Sequence, residues 1–371
     1  MRKLGISEIE DMLIGCAILG TGGGGSLEKG LQMARKAHEE GHPFTLVDLD
    51  ELMDDDIVVC PYFCGSISPV DPEREARFAR FPKIDEPEPC LALREIEAYL
   101  GKPVRAVISA ELGGGNTALA LVTGASMGLS IVDADPAGRS VPEITHSTFH
   151  ICGLPVAPMG IATRFGDVVI VKEVLNHERA ESIARLIAVS AGGTAGVVDT
   201  PVKAADLRGA VIPGAISFAL SIGQAKRRAA EAGEDAVEAI RKAGEGFRLF
   251  EGRLTRDCEW EDTGGFTEGN MEMEGSGRWS GSTLKIWLRN ENMISWLDGE
   301  VYVTIPDLIC VLERDTGNPI MNPHAKAGME VSVIGFRAHD MWRTDRGLEV
   351  FGPRYLGLDM EYKPVEEVVG G

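Results

Sequence analysis

The sequence lacks the features that would place a protein in or across a membrane. No run of apolar residues approaches the roughly eighteen that a membrane-spanning helix needs. The opening residues, MRKLGISEIEDML, reach acidic side chains before any apolar stretch attains the length of a secretory signal. The chain also has no internal repeat and no low-complexity stretch. We therefore expect a cytoplasmic protein.

Positive charge is scarce as well. The chain has 37 Lys and Arg against 57 Asp and Glu, which gives a formal net charge of −20. A surface this negative repels nucleic-acid phosphates and anionic lipids, so binding either would need a local basic patch. The cations of AKRRAAEAG are typical of the solvated face of a helix instead. We therefore expect neither a nucleic-acid partner nor a membrane partner.

A disulfide framework is also missing. The seven cysteines are odd in number and scattered, which favours reduced thiols. Cys64 in VCPYFCGS is a possible nucleophile by residue type. A buried thiol is the preferred interpretation, because no cation or helix start is evident in the sequence to lower its pKa.

Strands and helices alternate over the first half of the sequence. SEIEDMLIGCAILG and NTALALVTGASMG have helical apolar spacing, and Ser26 is a good N-cap for LEKGLQMARKAHEEG. DIVVCPYF, VRAVISAEL and LSIVDAD are apolar runs typical of buried strands. This order predicts an α/β domain with a mixed or parallel sheet over residues 1–165.

The remainder of the chain has a different pattern, and 371 residues are too many for one ordinary core. VAPMGIATRFGDVVIVKEV predicts a hairpin that turns at Gly166 and Asp167, and helices follow it. From about residue 246 several β-like runs occur, the last being LEVFGPRYLG. EDTGGFTEGNMEMEGSGRWSG is either a mobile lid or a long hairpin. We predict a second domain over 166–371, helical at first and then β-rich.

A glycine-rich loop follows the first predicted helix, in ILGTGGGGSLEKG. Gly20, Gly22 and Gly25 match the G-x-G-x-x-G spacing of a dinucleotide-binding turn, but that turn is entered by a strand. An NAD-dependent oxidoreductase is therefore a minor alternative, which requires a strand over residues 9–19. Bare backbone amides predict binding of a substrate oxygen or anion, with a close-packed turn as the alternative. The predicted binding residues are Thr21, Gly22, Gly23, Gly24 and Gly25.

Acidic side chains stand at the carboxyl ends of two predicted strands, where α/β sheets bind ligands. Glu111, in ISAELGGGNTALAL, is our candidate general base. Asn116 begins the next helix, either as its N-cap or as a ligand contact. Asp133 and Asp135, in VDADPAGRSVPE, mark the second strand end. Clustered carboxylates raise one another's pKa, which suits proton transfer near neutral pH.

Arg139 and Glu143 come next in the sequence and are predicted to bind substrate, Arg139 by a two-point contact with a carboxylate. The alternative is that the preceding aspartates cap a helix predicted to begin at Pro142, with Arg139 as their ionic partner.

His146 and His150 are four residues apart on that predicted helix, so their side chains share a face. Surface or core histidines are the preferred interpretation, and a zinc site formed with Cys60 or Cys64 is the alternative, although nothing in the sequence fixes the number of ligands. The predicted chemistry requires no cofactor.

Four motifs together resemble one known family. GTGGGG, ELGGGN, VDADPAGRSVPE, and VIGFRAHDMWRT with GLEVFGPRYLG resemble, in that order, the family named for S-methyl thiohydantoin desulfurase. The resemblance implies an α/β domain followed by a β-containing domain. It also implies a hydrolase, acting in the breakdown of histidine-like compounds, that replaces a sulfur substituent on a five-membered thiohydantoin ring to give a hydantoin and a thiol.

The resemblance brings no list of catalytic residues, so the roles follow from the chemistry. Water must add to the carbon between two ring nitrogens, with Glu111, Asp133 or Asp135 as the base. Amides of the glycine loop are expected to stabilise the charge that grows on the ring. We expect a small cyclic substrate and a homo-oligomer. A nonenzymatic ligand-binding or accessory subunit of a hydantoinase system is the alternative from another class.

Overall fold

The first half of the chain builds a mixed β-sheet. A computed structural model describes residues 1–65, 72–263 and 266–370. The strands up to residue 213 are Arg2–Lys3 (β1), Thr45–Val47 (β2), Ile57–Gly65 (β3), Val104–Val107 (β4), Ser130–Val132 (β5), Ala134–Asp135 (β6), Met159–Ala162 (β7), Val168–Val171 (β8), Thr194–Lys203 (β9) and Ile212–Pro213 (β10). The sheet order is β1-β2-β5-β4-β3-β9-β7-β8, and β10 pairs with β6 separately. Strands β2, β5, β4 and β3 are parallel to one another, and the other pairs are antiparallel.

The helices confirm most of the pattern predicted from apolar spacing. They are Ile6–Leu19 (α1), Leu27–Glu39 (α2), Pro72–Phe78 (α3), Glu88–Leu100 (α4), Asn116–Met127 (α5), Thr148–Ile151 (α6), His177–Ser190 (α7), Ala204–Leu207 (α8), Ala215–Ala232 (α9), Ala236–Ala243 (α10), Asp345–Phe351 (α11) and Val365–Gly370 (α12). Ser26 caps α2 as predicted, because its side chain accepts a hydrogen bond from the Lys29 amide. None of the helices in the described ranges is both long and apolar enough to cross a bilayer.

Helix α1 decides the question raised by the glycine spacing. It runs directly into the glycine loop, where a dinucleotide-binding turn has a strand. The NAD-dependent alternative, which required a strand over residues 9–19, is therefore wrong.

The two faces of the first sheet are covered by different sets of helices. Successive side chains of a strand point to opposite faces, so Val59 of β3 joins a cluster with α1, α2, α4, α5 and α9. Cys60, Tyr62 and Cys64 point the other way, into a cluster that includes α7 and α8. Helices thus cover both faces of the first sheet, which is the α/β arrangement predicted for this region.

The second half ends in an antiparallel sheet, as predicted. Its strands are Phe247–Leu254 (β11), Glu259–Thr263 (β12), Phe266–Gly275 (β13), Thr283–Arg289 (β14), Glu291–Leu297 (β15), Glu300–Thr304 (β16), Leu308–Glu313 (β17) and Glu330–Phe336 (β18). The order is β16-β15-β14-β13-β11-β18-β17, with β12 beside β13. Strands β8 and β9 of the first sheet come from beyond residue 165, and the division predicted there remains a prediction.

In the second half of the chain, one strand prediction is wrong and one open alternative is decided. LEVFGPRYLG, predicted as a strand, forms the end of α11 and a 3-10 turn at Pro353–Leu356. Thr344 caps α11 by accepting a hydrogen bond from the Gly347 amide, and Phe351 is buried at its end. The acidic glycine-rich stretch forms the β12–β13 hairpin, and residues 264 and 265 lie outside the described residues.

Candidate active site

Two glycine-rich loops interlock beyond the carboxyl ends of the parallel strands. The Gly24 carbonyl accepts hydrogen bonds from the amides of Gly115 (2.9 Å) and Asn116 (3.1 Å). A Cβ on Gly24 would lie 2.5 Å from Gly113 Cα and 2.0 Å from Ser140 Oγ. Backbone packs directly on backbone here, so close approach accounts for glycine at this position.

The beginning of the glycine loop is held by the second half of the chain. The carbonyl of Thr21 accepts a hydrogen bond from the Asn292 amide at 2.8 Å, and that of Gly22 accepts one from the Asn322 amide at 3.0 Å. A Cβ on Gly23 would lie 1.9 Å from Glu291 Oε1. Thr21, Gly22 and Gly23 therefore join the two halves of the chain. For these three residues the alternative of a close-packed turn applies, and not a binding role.

A cavity of about 460 Å³ opens beside the interlocked loops. This volume falls in the range of small-molecule sites. Six of the predicted site residues line it, namely Gly24, Gly25, Glu111, Asn116, Glu143 and His146. Asn290 and Glu291 line it from the second half of the chain, so the cavity lies where the two halves meet.

Glu111 is a buried carboxyl in the wall of this cavity, with only 5% of its surface exposed. Its Oε1 accepts a hydrogen bond from Asn116 Nδ2 at 2.7 Å, and its Oε2 accepts one from the Val141 amide at 2.8 Å. Burial raises the pKa of Glu111 to about 7, and the two hydrogen bonds and the charge of Arg139 act in the opposite direction. A carboxyl that titrates near neutral pH is suited to act as a general base.

Asn116 holds this carboxyl in place. It is the first residue of α5, which Gly115 caps, so it is not the N-cap. Its Oδ1 accepts a hydrogen bond from the Phe63 amide of β3 at 3.2 Å, which fixes the side chain that donates to Glu111.

Glu143 lies in the cavity wall within a small polar network. It accepts hydrogen bonds from the hydroxyls of Tyr355 and Thr145, and it forms an ion pair with Arg289 at 3.2 Å. Burial raises the pKa of Glu143, but His146, Tyr355 and Arg289 together more than offset this, so the pKa is lowered. Glu143 is therefore an anionic part of the wall.

Sequence patterns did not reveal five further polar residues of the cavity. These residues are Tyr62, Glu181, Arg185, Asp199 and Glu291. The Tyr62 hydroxyl donates to Asp199 Oδ2 at 2.7 Å, and Glu181 accepts a hydrogen bond from the Ile144 amide at 2.7 Å. Burial is the largest cause of the raised pKa of Glu291, and the charge of Glu111 adds to it. The only signal in the sequence for these five residues was that polar side chains occur within segments predicted as strands or helices.

Asp133 and Asp135 lie outside the cavity, which corrects the expectation that both strand ends converge on one site. Asp133 accepts hydrogen bonds from the amide and hydroxyl of Ser217 in the first turn of α9. Asp135 is fully buried in β6, and both of its oxygens accept from the Gly138 amide. Its strand, β6, pairs with β10 in a separate two-stranded sheet.

Arg139 does not reach the cavity either, so its predicted contact with a substrate carboxylate is not available in this geometry. The side chain is completely buried, and each of its five N–H groups already donates to the protein. The acceptors are the carbonyls of Ser140, Pro306, Asp307 and Asn292 and the hydroxyl of Thr21. Arg139 therefore connects the two halves of the chain.

His146 and His150 do not share a helical face. The helix predicted to begin at Pro142 begins at Thr148, where Ser147 caps it, so His146 lies in the preceding turn. Burial lowers the pKa of His146 to about 4, which leaves it neutral at neutral pH. His150 Nδ1 lies 3.1 Å from Nδ1 of His177.

The zinc alternative finds no set of ligands in the part of the chain that the structure describes. No group of three or more His, Cys, Asp or Glu side chains there is arranged to hold a metal ion. Cys60 and Cys64 are buried, and burial raises the pKa of Cys64 to about 12. Both are thiols at neutral pH, as the preferred interpretation of the sequence required.

Comparison with known proteins identifies the family. The model of the N-terminal domain of S-Me-THD-like proteins matches residues 7–173, and the model of the C-terminal domain matches residues 175–365. The chain belongs to the S-Me-THD-like family. The resemblance inferred from the four sequence motifs is thereby confirmed.

No curated protein matches this S-Me-THD-like chain. It is similar in structure to a protein from Chromobacterium violaceum solved by X-ray crystallography, with a TM-score of 0.77 and 22% sequence identity. The match covers 98% of this chain and 100% of the other. At this level of identity the similarity shows a shared fold and nothing about chemistry.

Proposed function

We propose that this S-Me-THD-like chain is a hydrolase that replaces a sulfur substituent on a thiohydantoin-like ring with oxygen from water. The family, whose name suggests an enzyme, supports the substrate class. The observation that carries the proposal is Glu111, a buried carboxyl in a cavity wall whose pKa is about 7. Such a group is half ionised near neutral pH and accepts a proton from water efficiently.

In the proposed reaction, water attacks the ring carbon that lies between two nitrogens and carries sulfur. Glu111 takes one proton from the water as the new C–O bond forms. The C–S bond then breaks, and the electron pair leaves with the sulfur as a thiolate, which takes a proton to become a thiol. The products are a hydantoin-like ring and a thiol.

The glycine loop has one amide suited to stabilising charge on the substrate. Gly25 lines the cavity, and within the described ranges its N–H donates to no other group. An amide that is fixed in the backbone and aimed at a reacting group stabilises developing negative charge without reorganisation. The Gly24 amide, by contrast, interacts with Glu291.

The charge of the cavity favours a ring that is neutral or gains a proton. Among the described residues of its wall, carboxyl groups outnumber the cationic groups, which are Lys29 and Arg185. An anionic ligand would be repelled by ionised Glu143 and by the ionised fraction of Glu111, whereas a ring nitrogen that accepts a proton would be stabilised. An S-alkylated thiohydantoin has such a nitrogen next to the carbon that is attacked.

The direct test is to incubate the full chain with S-methyl thiohydantoins in ¹⁸O-labelled water. We expect release of methanethiol, measured with a thiol reagent, and one ¹⁸O atom in the hydantoin product, measured by mass spectrometry. Unsubstituted hydantoin is the matched control, because it has no sulfur to lose and reports ring opening separately. The metal content of the same preparation tests the zinc alternative.

The two other outcomes contradict the proposal in different ways. Binding of the ring compounds by calorimetry without thiol release would favour the nonenzymatic ligand-binding or accessory alternative. Ring opening of hydantoin with no loss of sulfur would indicate a hydrolase of a different bond.

A further inference from the structure

A second carboxyl in the cavity wall lies on the opposite side of β3 from Glu111. Asp199 belongs to β9, which is antiparallel to β3, whereas Glu111 follows β4, which is parallel to β3 on its other edge. Tyr62 of β3 stands between these two neighbours, and its hydroxyl donates to Asp199 Oδ2 at 2.7 Å. All three side chains line the cavity and are almost fully buried.

An irregularity in β9 gives Asp199 its position. Val58 pairs with Val202 and Cys60 pairs with Asp199, so one residue of β3 faces two residues of β9. One of the two, Thr200, has a left-handed backbone with φ of +46°, and its amide donates to the Val156 carbonyl at 3.0 Å. Bulges of this kind redirect side chains and are frequent beside active sites.

The surroundings of Asp199 keep it close to half ionised near neutral pH. Burial raises its pKa to about 7, and the hydrogen bonds from Tyr62 and Thr200 act in the opposite direction. The neighbouring titratable groups are Glu181 of α7, which raises this pKa further, and the thiols of Cys60 and Cys64 on β3. Two carboxyls of similar pKa in the wall of one cavity can serve as a base and an acid in the same reaction.

We propose that Asp199, oriented by Tyr62, is the proton donor of this site and protonates the ring nitrogen next to the carbon that Glu111-activated water attacks. This inference rests on the proposed function. It assigns Asp199 as a catalytic residue and Tyr62 as a positioning residue. It also defines the substrate class more narrowly, as rings in which the carbon bearing sulfur is doubly bonded to a basic nitrogen.

The protons and electrons balance over the two steps. In the first, Asp199 gives its proton to the ring nitrogen, the C=N π bond becomes a lone pair on that nitrogen, and hydroxide oxygen bonds to the carbon. Glu111 holds the proton taken from water. In the second, the hydroxyl on the carbon returns a proton to Asp199 as the C=O bond forms, and the thiolate leaves with the C–S electron pair. Glu111 gives its proton to the sulfur, so both carboxyls return to their starting states.

The pH profile of kcat/KM for thiol release tests the assignment. In the wild type we expect activity to rise with pH as Glu111 ionises and to fall at higher pH as Asp199 ionises. Asp199→Asn should lower the maximum about a hundredfold and remove the fall at high pH. Tyr62→Phe removes a hydrogen bond that lowers the pKa of Asp199, so the fall should move to higher pH.

If Asp199 and Tyr62 had only structural roles, their variants would not move the fall of kcat/KM at high pH. Asp167→Asn is the matched control, because the Asp167 carboxylate also accepts a hydroxyl hydrogen bond, from Thr163 at 2.7 Å, and does not line the cavity. It should keep the wild-type rate and profile. If Asp199→Asn does not fold by circular dichroism, the shift in Tyr62→Phe decides the question.

The two proposals fail in distinguishable ways. If the wild type releases no thiol from any S-alkyl thiohydantoin, the proposed function is wrong. If the wild type is active and the variants at Asp199 and Tyr62 both keep the wild-type fall at high pH, the proposed function stands and the assignment of Asp199 is overturned.

Discussion

Asn116 Nδ2 donates a hydrogen bond to Glu111 Oε1 across 2.7 Å, inside the wall of the cavity. This contact favours the ionised carboxylate and opposes the effect of burial, which by itself would raise the pKa further. Asn116 therefore sets the pH at which the proposed base becomes available, without being placed to react itself.

Asn116→Ala should move the rise of the pH profile to higher pH by about one unit. Glu111 would lose a donor to its charged form, so the ionised fraction at pH 7 and with it kcat/KM at that pH should fall about fivefold. The control is Gln32→Ala, which removes an amide that donates to an exposed carboxylate, Glu28, at 3.4 Å. An unchanged acidic limb in Asn116→Ala would contradict this role.

Glu111→Gln should reduce turnover about a hundredfold, because the amide cannot accept the proton from water. Ring binding, measured by calorimetry with a hydantoin, should persist because the shape of the wall is retained. Glu97→Gln is a matched control, since Glu97 also accepts a backbone hydrogen bond, from Val104 at 2.7 Å, and is outside the cavity. Full turnover by Glu111→Gln would remove Glu111 as the base.

Arg139→Lys should destabilise the protein by about 3 kcal/mol or more in urea unfolding. Lysine cannot reproduce the planar set of five donors that joins the two halves, and it would leave buried carbonyls unpaired. The KM of the folded variant should stay close to the wild-type value. A raised KM with unchanged stability would restore the substrate-binding role predicted from the sequence.

Gly24→Ala and Gly41→Ala separate packing from backbone conformation. Both glycines have a left-handed backbone, with φ of +74° and +85°. A Cβ at Gly41 meets nothing within 4 Å, so this variant should lose only about 1 kcal/mol. The Cβ of Gly24→Ala would collide with Gly113, so we expect a loss at least about 3 kcal/mol larger, measured by urea unfolding. Equal losses would show that the two loops separate easily.

Asp135→Asn should reduce the dependence of stability on pH. Burial raises the pKa of Asp135 from 3.8 to about 8, so between these values the folded protein keeps a proton that the unfolded chain releases. Stability from this group is therefore present at low pH and is lost as pH rises towards 8. The variant should narrow the difference in unfolding free energy between pH 5 and pH 9 by up to about 4 kcal/mol. An unchanged difference would contradict burial of an ionisable Asp135.

Local patterns determined most of the helices, the first hairpin and one of the catalytic candidates. The capping of α2 by Ser26 and the spacing of apolar residues in α1 depend on neighbours a few residues apart, so the sequence contains them directly. Glu111 followed from its place at the end of a strand, because the carboxyl ends of parallel strands meet at one edge. The family motifs extended the prediction to both halves of the chain.

Pairing over long distances decided the rest. Tyr62 and Asp199 are 137 residues apart, and only the antiparallel register of β3 and β9, with its bulge, brings them together. Asp135 pairs with β10 and does not line the cavity, and the guanidinium of Arg139 donates to buried carbonyls of the second half. The spacing of apolar residues and the capping of a helix are properties of one short segment. Strand register and burial depend instead on which distant segment packs against it. For that reason the sequence supplied the fold class and Glu111, and the tertiary structure supplied its partners.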